Sequence, residues 1–257
     1  MHPILFKIFG FEVHTFGVMI AIAFVASLSL ARKRAPRWGI SADDITDASV
    51  VTILLGVLGA RVVFILQDLP HYLKNLHELF SVQFEGLTSF GGILFGFIYL
   101  AIWSARRKIP LVAVLDVVAG PLLVGQAIGR VGCLFNGCCY GGLCPVGTPW
   151  GIHVDTFGDL HHPAQIYESF MDLGGLFLLL RMEKRGLSPG QSFAAGLMLY
   201  GMARFIYEFW RLGSTSSALG PLPISDAQVV AASMVIVGFA LFLIFKKRAT
   251  VRQELFV

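Results

Sequence analysis

The run Gly129-Arg130-Val131-Gly132-Cys133-Leu134-Phe135-Asn136-Gly137-Cys138-Cys139-Tyr140-Gly141-Gly142 sets an arginine, an asparagine and three cysteines among five glycines. Glycines permit tight turns and close approach of the backbone to a ligand. Arg130 and Asn136 supply donors to a polar one. A flexible Gly-rich loop would explain the glycines, but not an arginine at a helix end beside them. Farther on, Tyr200, Arg204, Glu208 and Arg211 follow at spacings of four, four and three, which places them on one helical face. His162 and Glu168 flank the start of another apolar stretch, and His14 and Arg61 lie in two earlier ones. Arginine outnumbers acid in this set. The planar guanidinium fork suits an anion, and a phosphate ester best, because it binds two oxygens at once. Internal salt bridges are the plainer reading of Glu208 between Arg204 and Arg211.

Something strongly apolar must position these groups. The chain has 257 residues, of which 56% are apolar and 14% charged, with 22 phenylalanines. An ordinary soluble domain is about a quarter charged. Mean hydropathy is +0.73. Disordered, collagen-like and ordinary soluble classes are excluded, and an all-α polytopic membrane protein is expected. Seven apolar stretches, at 12–31, 46–66, 87–105, 111–130, 163–181, 191–210 and 225–245, are each long enough to span a bilayer. Gly120-Pro121 should kink the fourth. Gly92 with Gly96, and Gly125 with Gly129, have the small-xxx-small spacing of close helix contacts. No internal repeat is visible, so one membrane-embedded domain over 1–257 is the simplest organisation. No Ala-x-Ala cleavage site follows the first apolar run, so the first helix is expected to stay as an anchor.

Basic residues set the expected orientation. Fourteen of the twenty Lys and Arg fall in alternate loops, after the first, third, fifth and seventh stretches. The positive-inside rule then puts the N-terminus outside and the C-terminus in the cytoplasm. The same pattern gives the pI near 9.0 a use other than nucleic-acid binding. With that orientation Arg61, Arg130, Arg204 and Arg211, with Glu168 and Glu208, converge just under the outer surface. Each would cost about 2.5–3.5 kcal/mol to insert without a purpose. The lipid headgroup is the phosphate found at that depth. Asp116 and Asp172 lie deeper and stand apart from the set.

The combined motifs resemble the prolipoprotein diacylglyceryl transferase family. Gly129-Arg130-Val131-Gly132-x-x-x-Asn136-Gly137 is similar to its signature. His14-Thr15-Phe16-Gly17, Gly59-Ala60-Arg61, Ser89-Phe90-Gly91-Gly92 and His162-Pro163-Ala164-Gln165-Ile166-Tyr167-Glu168 resemble further elements in the same order. So does Tyr200-Gly201-x-x-Arg204-x-x-x-Glu208-Phe209-x-Arg211. The chain departs from the pattern at Phe16 and Phe90, where the family has Tyr and His. It departs again at Cys133 and Cys138, where the family has Asn and an acidic residue.

The resemblance implies transfer of the diacylglyceryl group of phosphatidylglycerol to the lipobox cysteine of a preprolipoprotein. This is the first step of bacterial lipoprotein maturation, in the cytoplasmic (inner) membrane, with glycerol phosphate as the other product. It implies no cofactor and no metal. The catalytic set is read as Arg130, Arg204, Glu208 and His162, and the substrate-binding set as Arg130, Arg61, Asn136, Gly132, Arg211, His14 and Glu168. The arginines would stabilise the departing phosphate and lower the pKa of the acceptor thiol. His162, His14 and Glu208 are the proton acceptors considered.

Cys133, Cys138, Cys139 and Cys144 all fall within twelve residues of one expected outer loop. On that oxidising face a structural disulfide is the favoured reading, ahead of free thiols. Zinc is disfavoured for want of a Cys-x-x-Cys spacing. Two other classes compete with this reading. A membrane thiol-disulfide oxidoreductase would use the cysteines but leave the arginines without a purpose. A transporter would show repeats and charges at the midplane.

Overall fold

The computed structural model describes residues 4–8, 11–75, 88–145, 147–154, 159–211 and 224–254. A short hairpin comes first, β1 (Ile4–Ile8) paired antiparallel with β2 (Phe11–His14). Its exposed ends are tied by Lys7 and Glu12, 2.6 Å apart. The Lys7 ammonium holds the Glu12 carboxyl below its usual range. The helices are α1 (Thr15–Arg34), α2 (Ala42–Gln67), short α3 (Leu69–Lys74), α4 (Ser89–Arg107), α5 (Leu111–Phe135), α6 (Ala164–Lys184), α7 (Gln191–Tyr207) and α8 (Asp226–Glu254). A 3₁₀ turn, Ala35–Trp38, follows α1. The two-residue strands β3 (Ile152–His153) and β4 (Leu160–His161) pair antiparallel between α5 and α6.

Two expectations are corrected here. The first helix starts at Thr15, not at residue 12, because 12–14 are strand. His14 therefore ends a β-strand opposite Ile4 rather than lying in the first helix. The sequence reason is visible afterwards: Phe11 and Val13 alternate with Glu12 and His14, a period of two rather than 3.6. Residue 87, expected to open the third helix, lies outside the described residues.

Among the described residues, four helices are long and apolar enough to cross a membrane: Thr15–Trp38, Ala42–Gln67, Leu111–Phe135 and Asp226–Arg248. Of the other long helices, α6 carries Glu168 and Asp172, and α7 has only 17 residues.

The chain forms two compact units, one of residues 32–114 and one of 1–31 with 115–257. In the first, Ser41 caps α2 by accepting from the Asp44 backbone N–H at 3.0 Å. Small residues let α2 and α4 approach closely. A Cβ on Gly92 would sit 3.3 Å from the Gly56 carbonyl oxygen, and one on Gly96 would meet the Thr52 methyl at 3.3 Å. The expected Gly92/Gly96 contact is thus present.

In the second unit, α5, α6 and α7 share a core of Ala119, Leu123, Leu179 and Ala195. Helix α5 continues as one element through Pro121, whose carbonyl accepts from the Ser27 hydroxyl at 2.9 Å. Gly125 faces the same Ser27, whereas Gly129 faces open space. Buried Gln165, Glu168, Ser169 and Asp172 recur at helical spacing along α6 and turn its polar stripe inward.

Asp116 holds the entry to α7. Its carboxylate, fully buried, accepts from the Gly190 N–H at 2.6 Å and the Phe193 N–H at 2.8 Å. These are orphan donors at a helix start, and an anion there also complements the helix dipole. Asp116→Ala should destabilise the detergent-solubilised protein by about 1–3 kcal/mol, with Asp116→Asn losing less. Thermal unfolding measures it, and an unchanged midpoint in the Ala variant would refute the capping role.

Candidate functional site

Three helix ends in the second unit each deliver part of one polar cluster. Arg130 lies in the penultimate turn of α5, Glu168 in the second turn of α6, and Arg204 in the last turn of α7. Glu208 follows α7 with φ −63 and ψ −20, so the helical face runs on past the helix end. That is why the four-four-three spacing holds at Glu208.

The charges form one string. Arg130 Nε is 2.6 Å from Glu168 Oε2, and Arg130 Nη2 donates to Glu168 Oε1 at 3.2 Å. Arg204 Nη1 stands 3.7 Å from the same Glu168 Oε1, and its Nη2 is 3.1 Å from Glu208 Oε2. Arg211 Nη1 is 3.7 Å from that Glu208 oxygen. Three cations thus share two anions, which leaves one positive charge in excess. The two carboxylates are buried, with side chains 0% and 1% exposed, while Arg130 and Arg204 keep 15% and 16%. The acids lie behind and the guanidinium edges in front. Glu208 sits at a helix C-terminus, where the carbonyl end repels an anion, so its two arginines hold it there.

Tyr207 is the hub. Its ring lies 5.2 Å from the Arg130 guanidinium carbon and 4.8 Å from that of Arg204, a double cation–π contact. Its hydroxyl donates to the Cys139 carbonyl at 3.1 Å. Gln126, one turn before Arg130, accepts from Arg130 Nη2 at 3.1 Å and Nε at 3.2 Å once its amide oxygen faces the arginine. Sequence reasoning missed both residues. The signals were present: Gln126 is four residues from Arg130, and Tyr207 is three from Arg204.

The glycine-rich segment after α5 is bonded to α6 and to the end of α7. Gly141 N–H donates to the His162 carbonyl at 2.8 Å, His162 N–H to the Gly142 carbonyl at 3.0 Å, and Gly142 N–H to the Trp210 carbonyl at 2.7 Å. A Cβ on Gly141 would stand 2.6 Å from the Trp210 oxygen, so no side chain fits there. Gln165 Nε2 donates to the Cys138 carbonyl at 2.6 Å. His162 Nδ1 lies 3.1 Å from the Tyr167 hydroxyl.

Other expected site residues fall differently. Gly132 packs against α1, where a Cβ would be 3.0 Å from that of Met19. Asn136 is exposed. His14 is in the N-terminal hairpin. Arg61 belongs to the other unit, with its guanidinium over Phe64 at 6.0 Å and Tyr72 at 5.8 Å. The string joins Arg130, Arg204 and Arg211. Asp172, one turn beyond Glu168 in α6, is fully buried with neither carboxylate oxygen hydrogen-bonded. Between α7 and α8 a cleft of about 280 Å³ has walls of Ala227, Val230, Ala231 and Met234, and Tyr200, Arg204 and Asp226 as its polar groups.

The expected disulfide is not formed: all four cysteines are free thiols. The sulfurs of Cys133, Cys138 and Cys139 nevertheless gather within 4.8 Å of one another. Hydrogen bonding from the Cys133 and Cys138 thiols draws the Cys139 thiol below its usual range, and the charges of Arg130 and Arg211 reinforce this.

An apolar helical chain with helices long enough to cross a bilayer belongs to the membrane proteins. The sequence profile of the prolipoprotein diacylglyceryl transferase family matches residues 3–244, and the chain belongs to that family. It is 30% identical to the phosphatidylglycerol–prolipoprotein diacylglyceryl transferase of Clostridium tetani, over 94% of this chain and 97% of the relative. The Clostridioides difficile enzyme of the same name is 31% identical over 96% and 97%. That of Geobacter sulfurreducens is 33% identical over 96% of each.

The string sets unequal dependences. Removing Glu168 leaves Arg130 and Arg204 facing each other in a dry site, so Glu168→Ala should cost about 3–5 kcal/mol. Arg211 is a third exposed and Glu208 keeps Arg204, so Arg211→Ala should cost within about 1 kcal/mol. Equal unfolding midpoints for the two variants in detergent would count against this ordering.

Proposed function

We propose that this chain moves the diacylglyceryl group of phosphatidylglycerol onto the lipobox cysteine thiol of preprolipoproteins and releases glycerol phosphate. The observation that carries the reading is the arginine excess of the Arg130–Glu168–Arg204–Glu208–Arg211 string, in a chain whose relatives bear that activity in their names. Physically the reaction is alkyl transfer. Sulfur attacks the glyceryl carbon, the carbon–oxygen bond to phosphate breaks, and negative charge collects on the departing phosphate. Guanidiniums fixed in a dry site answer that charge without reorganising. Arg130 and Arg204 stabilise the leaving group, and Arg211, Asn136 and Gly132 serve the lipid and loop side of the site. Glu168 orients the two arginines, and His162, Glu208 and His14 are the residues available to proton transfer. The apolar α7–α8 cleft beside Arg204 offers an acyl chain a place next to the charge it accompanies. The thiol-disulfide oxidoreductase reading gains no support from the family.

The topology that goes with this reading has seven spans in one domain over 1–257. The N-terminus is outside, the C-terminus is in the cytoplasm, and the site opens to the outer leaflet of the inner membrane. Labelling of single cysteines introduced at 32–45, 106–110 and 181–190 should report the cytoplasmic side. An external signal from any of these loops would overturn the orientation.

The activity test is transfer from labelled phosphatidylglycerol to a lipobox peptide by purified protein. Arg130→Ala and Arg204→Ala should each lower the rate by about 10²–10³, with lysine rescuing poorly because it lacks the fork. Wild-type rates in either variant would remove the phosphate role from that residue.

A further inference from the structure

We propose that Cys133, Cys138 and Cys139 form a three-thiolate site for a soft divalent cation of the zinc type. Its open fourth position takes the acceptor thiol. This second half rests on the transfer reading above. The three sulfurs come from the last turn of α5 and from the loop just after it, and they lie within 4.8 Å of one another. Around a tetrahedral zinc with Zn–S near 2.3 Å, sulfurs stand about 3.8 Å apart, so a contraction of about 1 Å at most closes the site.

The loop is shaped for this. Gly137 has φ +69 and Cys139 φ +63. The second is a left-handed conformation that an L-residue adopts only when its surroundings enforce it. The surroundings do so through the carbonyls: Gln165 holds that of Cys138 at 2.6 Å and Tyr207 that of Cys139 at 3.1 Å. With both carbonyls tied to α6 and α7, the two thiols turn back toward Cys133. Spacing alone disfavoured zinc here, because adjacent cysteines lack Cys-x-x-Cys form. The positive φ at Cys139 lets neighbouring residues present sulfur to one point. Cys144 is not part of the group.

The site also meets a need of the reaction. Phe90, which carries no proton acceptor, stands where the family pattern has His. A thiol that coordinates a metal is deprotonated outright. The acceptor S–H would lose its proton to solvent on binding. Its sulfur lone pair then forms the S–C bond, the C–O bond breaks, and the electron pair leaves on the phosphate oxygen toward Arg130 and Arg204. No electron changes hands between metal and substrate.

The test uses full-length protein in detergent, stripped of metal and kept reduced, titrated with cobalt(II) chloride and then zinc chloride. One cobalt per chain should bind, with a thiolate charge-transfer band and a tetrahedral visible spectrum, and zinc should displace it. Cys133→Ser, Cys138→Ser and Cys139→Ser should each weaken zinc by more than about a hundredfold, beyond the loss typical of outer-shell partners. Cys144→Ser should leave affinity unchanged. In wild-type protein without phosphatidylglycerol, a lipobox peptide should shift the cobalt spectrum, and the same peptide with Ser for its cysteine should not. Absence of a thiolate band in wild-type protein, binding that survives the triple Ser variant, or a spectrum indifferent to the peptide thiol would each overturn the proposal. A cobalt site that takes the peptide thiol in a protein that makes no lipidated product would instead break the transfer reading and leave the metal site standing.

Discussion

The buried carboxylate of Glu168 is the constraint on which the site depends. A charge with no exposed surface in an apolar helical protein must be paired and hydrogen-bonded. Glu168 meets that demand by drawing Arg130 from α5 and Arg204 from α7 to one point. Three helices are thereby registered against each other at a single depth. Glu208 repeats the device at lower stringency, with Arg204 shared and Arg211 at the rim. The excess guanidinium edges then face outward because the acids occupy the interior. Electrostatic need and helix packing thus produce the same geometry.

Much of this was legible in the sequence. The long helices could be read from apolar runs, because a span of twenty such residues has few alternatives. The Arg204–Glu208–Arg211 pairing could be read from helical spacing. Both succeed because the relevant interactions are local along the chain. The family motifs located Arg130 and Glu168, which lie 38 residues apart.

What could not be read depended on contacts distant in sequence or on short-range backbone choices. The N-terminal hairpin hid inside an apolar run whose alternation covers only four residues. Asp116 looked like an anomalous intramembrane acid, and its role appeared only when the turn before α7, more than seventy residues on, was seen to bring two N–H groups to it. The cysteines were misread for a similar reason. Proximity in sequence and an oxidising face suggested a bond, whereas the loop geometry holds the sulfurs together without one.

Tyr207 has a further consequence. One face of its surroundings is the guanidinium pair, and its hydroxyl is bonded to the backbone of the cysteine loop. A shift of that loop must either break the 3.1 Å hydrogen bond or carry the ring with it, and a ring that moves changes the contact with both arginines. The loop and the cationic cluster are therefore thermodynamically linked through one phenol. Whatever orders the first alters the affinity of the second for any anion presented to it, and such an anion alters the loop by the same factor.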